Sequence, residues 1–199
     1  RSSSGNLQIA VRSEGQLFSG ISPSYLNGLK CSANGDYYTI APIQYDLIVG
    51  GITVTSANAS DILGDGNGET GSVSYDEVNT LTLNNAAITM QMENVAIYYS
   101  GGNNLNIKLK GSNTINSGNC SSIRGLETGT LSFVTGDSEP CSLKMETTEN
   151  TVIDGFAETR HDGLYMIKDV IPGSDAPTTN RITITSTILV GGNGTTNSP

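Results

Sequence analysis

Nineteen acidic residues, ten basic ones and a single histidine set the limits on what chemistry this 199-residue chain can do. The histidine, His161, lies in the densest charged stretch, with Asp154, Glu158, Arg160 and Asp162. Acids beside an Arg are the parts of a Ca²⁺-dependent polysaccharide lyase, in which the cation neutralises a uronic carboxylate while a base removes the adjacent proton. The simpler reading is a solvated loop tip, since only proximity in sequence joins these residues. No Ser or Cys nucleophile motif accompanies His161, so no catalytic residue is assigned. A second oxygen-rich stretch puts Asp65, Asn67, Glu69 and Asp76 at positions one, three, five and twelve, the ligand spacing of a Ca²⁺ loop. Thr70 stands where such a loop needs Gly, and Asp76 where it needs a bidentate Glu. Ca²⁺ is therefore the one cofactor the chain suggests, and a Gly-rich hairpin connection is the competing reading. Sugar binding asks for flat aromatic faces beside amides or carboxylates. Two Tyr-Tyr pairs offer them, and Tyr99 and Tyr37 are assigned the surface, carbohydrate-contacting role; a ring that merely covers its neighbours is the alternative.

Charge narrows the partners. The net charge is -9 and no Lys/Arg cluster exists to track phosphates, which argues against nucleic acid and anionic membrane surfaces. No apolar run approaches the roughly 20 residues of a membrane-inserted helix. Arg1 followed by Ser2-Ser3-Ser4-Gly5-Asn6 reads as a flexible leader left after removal of a signal or anchoring segment. The expectation is an exported protein, extracellular or at the cell surface, with lipid anchoring through the removed segment as one route. Cys31, Cys120 and Cys141 fit no zinc spacing; buried free thiols and a Cys120–Cys141 bridge both remain open.

The elements that must position these residues are strands. Gly, Ser, Thr and Asn make up 88 of the 199 residues, and only 15% are charged, a composition of short strands and tight turns that excludes a helical bundle. Apolar and polar residues alternate in Leu81-Thr82-Leu83, Leu105 to Lys110, Leu143 to Glu146 and Arg181 to Thr185. At most one short helix is expected, near 56–63. Aligning the alternating segments makes Leu81, Leu105, Leu131 and Ile182 equivalent, at intervals of 24, 26 and 51 residues, the last about twice 25.5. Ala96-Ile97, Ser122-Ile123 and Val152-Ile153 form a second register. Asn84, Asn85, Asn104, Asn113 and Asn116 fall at the turns, where amide ladders and left-handed positions explain them without a ligand.

A repeat of this length, with apolar residues all pointing one way, predicts an all-β chain folded as a single-stranded right-handed parallel β-helix, a solenoid with coils of about 25 residues. A β-sandwich is the competing fold. Residues 1–44 are read as leader and N-terminal β-rich cap, 45–190 as the β-helix, and 191–199 as a flexible tail. Glu158 to Asn180 is expected to bulge out as a long loop around a strand at Leu164–Ile167.

The stretch from Tyr45-Asp46-Leu47-Ile48-Val49-Gly50-Gly51 to Gly66, with Gly71 to Asp76, Asn79 to Ala86 and Leu109 to Ile115, resembles the right-handed β-helix surface proteins of Bacteroides-type gut bacteria, often described as carbohydrate-binding-domain-containing. The resemblance covers about residues 45–190. It implies an exported, non-enzymatic surface module that binds a polysaccharide or host glycan or serves in adhesion. A lyase-like enzyme acting on acidic polysaccharide and a plain structural spacer are the alternatives.

Overall fold

A computed structural model describes residues 7–10, 29–34, 37–64, 71–90, 94–136, 140–148, 150–173 and 177–187. The chain is all-β, with no helix among these residues. Strands β1 (Leu7–Ala10), β2 (Leu29–Asn34) and β3 (Tyr37–Pro42) form an antiparallel sheet in the order β1-β3-β2. The hairpin of β4 (Gln44–Val49) and β5 (Ile52–Thr55) follows, and then β6 (Ser72–Tyr75).

From there the chain visits three sheets in rotation. The first circuit is β7 (Thr80–Asn84), β8 (Ala87–Thr89) and β9 (Ile97–Tyr99). The second is β10 (Leu105–Lys110), β11 (Ser112–Asn116) and β12 (Ile123–Arg124). The third is β13 (Thr130–Thr135), β14 (Ser142–Thr148) and β15 (Ile153–Asp154). A further strand, β16 (Glu158–Arg160), returns to the first sheet, and β17 (Tyr165–Ile171) and β18 (Thr179–Thr185) close the described chain as a hairpin. The sheets run β16-β13-β10-β7-β6, β17-β18-β14-β11-β8 and β15-β12-β9-β4-β5. Every third strand pairs in parallel with its predecessor, while β4, β6 and β18 join antiparallel.

Register explains why these residues form these strands. Leu81, Ile107 and Phe133 are paired neighbours, as are Leu83 and Leu109, and Leu105 and Leu131; all are fully buried. Each full burial of such a side chain contributes about 1.5–3 kcal/mol, and the ladder places like on like at each step. The third-sheet ladder, Ile97, Ile123 and Ile153, has the register read from the sequence. The first-sheet alignment needs two corrections. Leu81 is opposite Ile107 rather than Leu105, because alternation within a strand fixes the inward parity but leaves a two-residue slip unpenalised. Ile182 lies in the second sheet, antiparallel between Met145 and Lys168, outside the parallel set altogether.

Polar groups inside the turns are bonded between circuits. Asn113, only 1% exposed, accepts from the Ala86 amide at 2.8 Å and donates to the carbonyls of Lys110 and Ser142, both at 3.1 Å, tying neighbouring circuits together. Asn85 holds φ at 52° and accepts from the Ser112 amide. A Cβ at Gly155 would lie 2.4 Å from the Gly125 carbonyl oxygen, so the corner between third and first sheets stacks glycine on glycine. Cys120 and Cys141 are free thiols, so the bridge between them is not made.

Two further expectations change. Residues 56–63 form turns and bends instead of a helix. The described residues of 158–180 extend the sheets in place of the expected long loop: β16 continues the first sheet, and β17, which takes in most of the expected strand at Leu164–Ile167, pairs along its whole length with β18.

Candidate functional site

Each sheet turns one residue parity inward and the other to solvent. On β9 this buries Ile97 and Tyr99 and leaves Tyr98 half-exposed. The surface assignment of Tyr99 is therefore corrected: it shares Ile97's parity, and the ring is 5% exposed. Its hydroxyl would stand 2.5 Å from a Cβ at residue 101, so a glycine there makes room for the ring. Burial, and then the nearby Asp46 charge, push the Tyr99 hydroxyl pKa up.

Tyr75 and Tyr45 extend the same inward aromatic group, with ring centroids 5.4 Å apart. Both hydroxyls are pushed up to about 12, chiefly by burial, with Glu77 adding to Tyr45 and Tyr99 to Tyr75. These rings fill core; they are not a sugar platform. The Tyr37 side chain lies outside the described residues, as do Asp65, Asn67 and Glu69.

The fourth residue of the expected Ca²⁺ set, Asp76, has another occupation. Its Oδ1 accepts from the amides of Val78, Asn79 and Thr80 at 3.0, 3.0 and 2.8 Å, closing the turn into β7. Desolvation opposes its charge, but the backbone hydrogen bonds from Thr80, Val78 and Asn79 outweigh it and hold the carboxyl below its usual range. That oxygen's lone pairs already serve three donors. Among the described residues, no three His, Cys, Asp or Glu side chains meet at a spacing that would hold a metal.

The charged stretch around His161 divides into separate contacts. Arg160 pairs with Glu158 at 2.8 Å on the same strand, Asp154 pairs with Arg124, and His161 Nδ1 bonds the Leu164 carbonyl at 2.9 Å. Hydrogen bonding to Glu158 raises the Arg160 pKa, which makes that guanidinium a still poorer base.

What the fold does assemble is a row across the outer face of the third sheet. Ile48, Tyr98, Arg124 and Asp154 are successive register partners on four adjacent strands. Strand spacing sets them about 4.8 Å apart. Arg124 Nε reaches Asp154 Oδ2 at 3.2 Å and its Nη2 reaches Ser121 Oγ at 3.4 Å, which anchors the guanidinium by two contacts. The row thus carries an aromatic ring, a planar five-donor cation and a carboxylate, each partly open to solvent.

Comparison with protein-family models, curated proteins and solved structures found no match. Reasoning from sequence placed Asp154 with His161 and missed Arg124, its partner 30 residues away, because only the register of β12 on β15 joins them. The signal that would have found Tyr98 was present: Ile97, an inward ladder residue, immediately precedes it.

Proposed function

We propose that this chain is a non-enzymatic, exported module with the right-handed parallel β-helix fold, displayed at a bacterial cell surface, where it binds a polysaccharide or host glycan. The rotation of parallel strands through three sheets supports the fold reading. The row Tyr98–Arg124–Asp154 carries the functional one. A pyranose lies its C–H face on the Tyr98 ring while its hydroxyls bond Arg124 and Asp154, donors and acceptors already fixed by their own ion pair. A face of regularly spaced strands suits an extended polymer, whose successive groups meet the ring, the cation and the carboxylate in turn. Reaction chemistry gains no comparable support, since an Arg is a poor base and the hydrogen bond to Glu158 raises the Arg160 pKa further.

The experiment is a glycan-array screen of the whole chain, followed by titration of the best oligosaccharide against Tyr98→Ala and Arg124→Ala. Each substitution is expected to weaken binding about tenfold or more, with the circular dichroism spectrum unchanged. Loss of binding in neither variant would sink the assignment. Unsaturated uronides released from polygalacturonate with Ca²⁺ would replace it with lyase activity.

A further inference from the structure

The stack does not end flush. Beyond β14 the second sheet continues for two more strands, β18 and then β17, whereas the third and first sheets stop at β15 and β16. The hairpin therefore overhangs the end of the core like a wall. Between wall and core lies a cleft of about 760 Å³, floored by Val152, Ile153 and Thr159 and walled by Met166, Lys168 and Val170. Among the described residues no strand pairs with the outer edges of β15 or β16.

Parity makes the wall informative. Met166 is opposite Ile184, Lys168 opposite Ile182 and Val170 opposite Asn180, and directly opposed residues share a face. Ile182 and Ile184 are buried core, so Met166, Lys168 and Val170 carry that same inward face out past the end of the stack. There Val170 is 67% exposed. Lys168 stands exposed in the middle of the row, with no ion pair among the described residues. Unpaired backbone edges beside an uncovered apolar face are the two elements of strand addition, in which main-chain hydrogen bonds supply affinity and alternate side chains supply selectivity.

We propose that this cleft is a docking site for an extended polypeptide segment of a partner protein, lying along β15 and β16 and carrying apolar, acidic and apolar residues at alternate positions. The apolar side chains cover Val170 and Met166, and the carboxylate meets Lys168. The segment follows the path that a further circuit would take, past the small corner at Gly155. A second copy of this chain fits poorly in either orientation. Two copies end to end through this cleft would put two Lys168 charges into one interface. At the opposite end, the edge of β6 is already bonded, through Ile62 N to Val73 O at 2.9 Å and Tyr75 N to Ala59 O at 2.7 Å.

The test uses the whole chain and two fluorescein-labelled peptides, TVTETVTG and TVTKTVTG, read by anisotropy at low and high salt. The Glu peptide is expected to bind about tenfold more tightly than the Lys peptide. Hydrogen exchange at Ile153–Asp154 and Glu158–Arg160 should slow in its presence. Lys168→Glu should reverse the preference, a result that simple loss of folding does not produce, and Val170→Asp should weaken both peptides. Equal binding of the two peptides, protection elsewhere in the chain, or a peptide-free dimer dissolved by Val170→Asp would overturn the proposal. Tyr98→Ala is expected to leave peptide binding unchanged, so the failure of the glycan reading and of this one are separately visible.

Discussion

The two ends of the strand stack differ in how they finish the same core. At the N-terminal end, residues 59–62 bond the free side of β6, and Ala59 and Ile62 turn inward beside the aromatic group of Tyr45, Tyr75 and Tyr99. At the C-terminal end the hairpin of β17 and β18 stands up as a wall, with Val170 exposed and, among the described residues, no strand on the outer edges of β15 and β16. Ala59 and Ile62 are buried at the first end, whereas Val170 and Ile171 are exposed at the second. An edge next to an apolar surface is a liability that proteins usually cover or charge. Here Lys168 charges it, which discourages indiscriminate pairing and selects for an acid.

This contrast is open to measurement. The largest effect should come from truncating the closed end: Ile62→Ala is expected to cost about 2–5 kcal/mol in chemical denaturation, whereas Val170→Ala should stay within about 0.5 kcal/mol. Similar losses at both sites would mean that the C-terminal wall is as fully packed as the N-terminal one.

A smaller effect concerns alkali. Tyr75 ionises ordinarily near 10 but is pushed up to about 12 in the folded chain, so above pH 10 the unfolded chain releases its proton first. Stability from this group is present below pH 10 and is lost as pH rises toward 12, by about 2–3 kcal/mol. Tyr75→Phe should reduce the fall of the denaturation midpoint across that range, leaving the part due to Tyr45 and Tyr99, and an unchanged slope would assign the alkaline loss to other groups.

The smallest effect belongs to the turn that leads into β7. Asp76→Ala removes three charge-assisted hydrogen bonds at an exposed site and should cost about 1 kcal/mol. Because the folded pKa of Asp76 is lowered, its contribution is present above the unfolded value and fades as pH falls through the folded one. The variant and the parent should therefore converge in acid. A gap that persists at low pH would mean that the carboxylate's charge contributes nothing.

Much of this was legible beforehand in particular residues. The alternation in Leu105–Lys110 sets three leucine and isoleucine side chains inward, as observed, and the Ile97, Ile123 and Ile153 register was readable from the small residue or Val before each Ile. The 81-to-107 pairing was not, since alternation is indifferent to a shift of two. Nor was the sense of β18: Arg181–Thr185 has the same pattern whether it runs with β14 or against it. The site was less legible than the fold. Asp76 has the residue type of a Ca²⁺ ligand, but three backbone amides within four residues claim its oxygen. Tyr99 has the residue type of a sugar platform, but its parity buries it.

By itself, then, the sequence determined the all-β class, the inward parity of most strands and the turn chemistry of its glycines and asparagines, because these follow from steric preference and burial over a few neighbouring residues. Only the tertiary structure decided that Leu81 pairs with Ile107, that Arg124 meets Asp154, and that a cleft forms between β17 and the core. Those outcomes depend on backbone hydrogen bonds between residues some 26 to 30 positions apart, a distance over which local pattern carries no record of the partner.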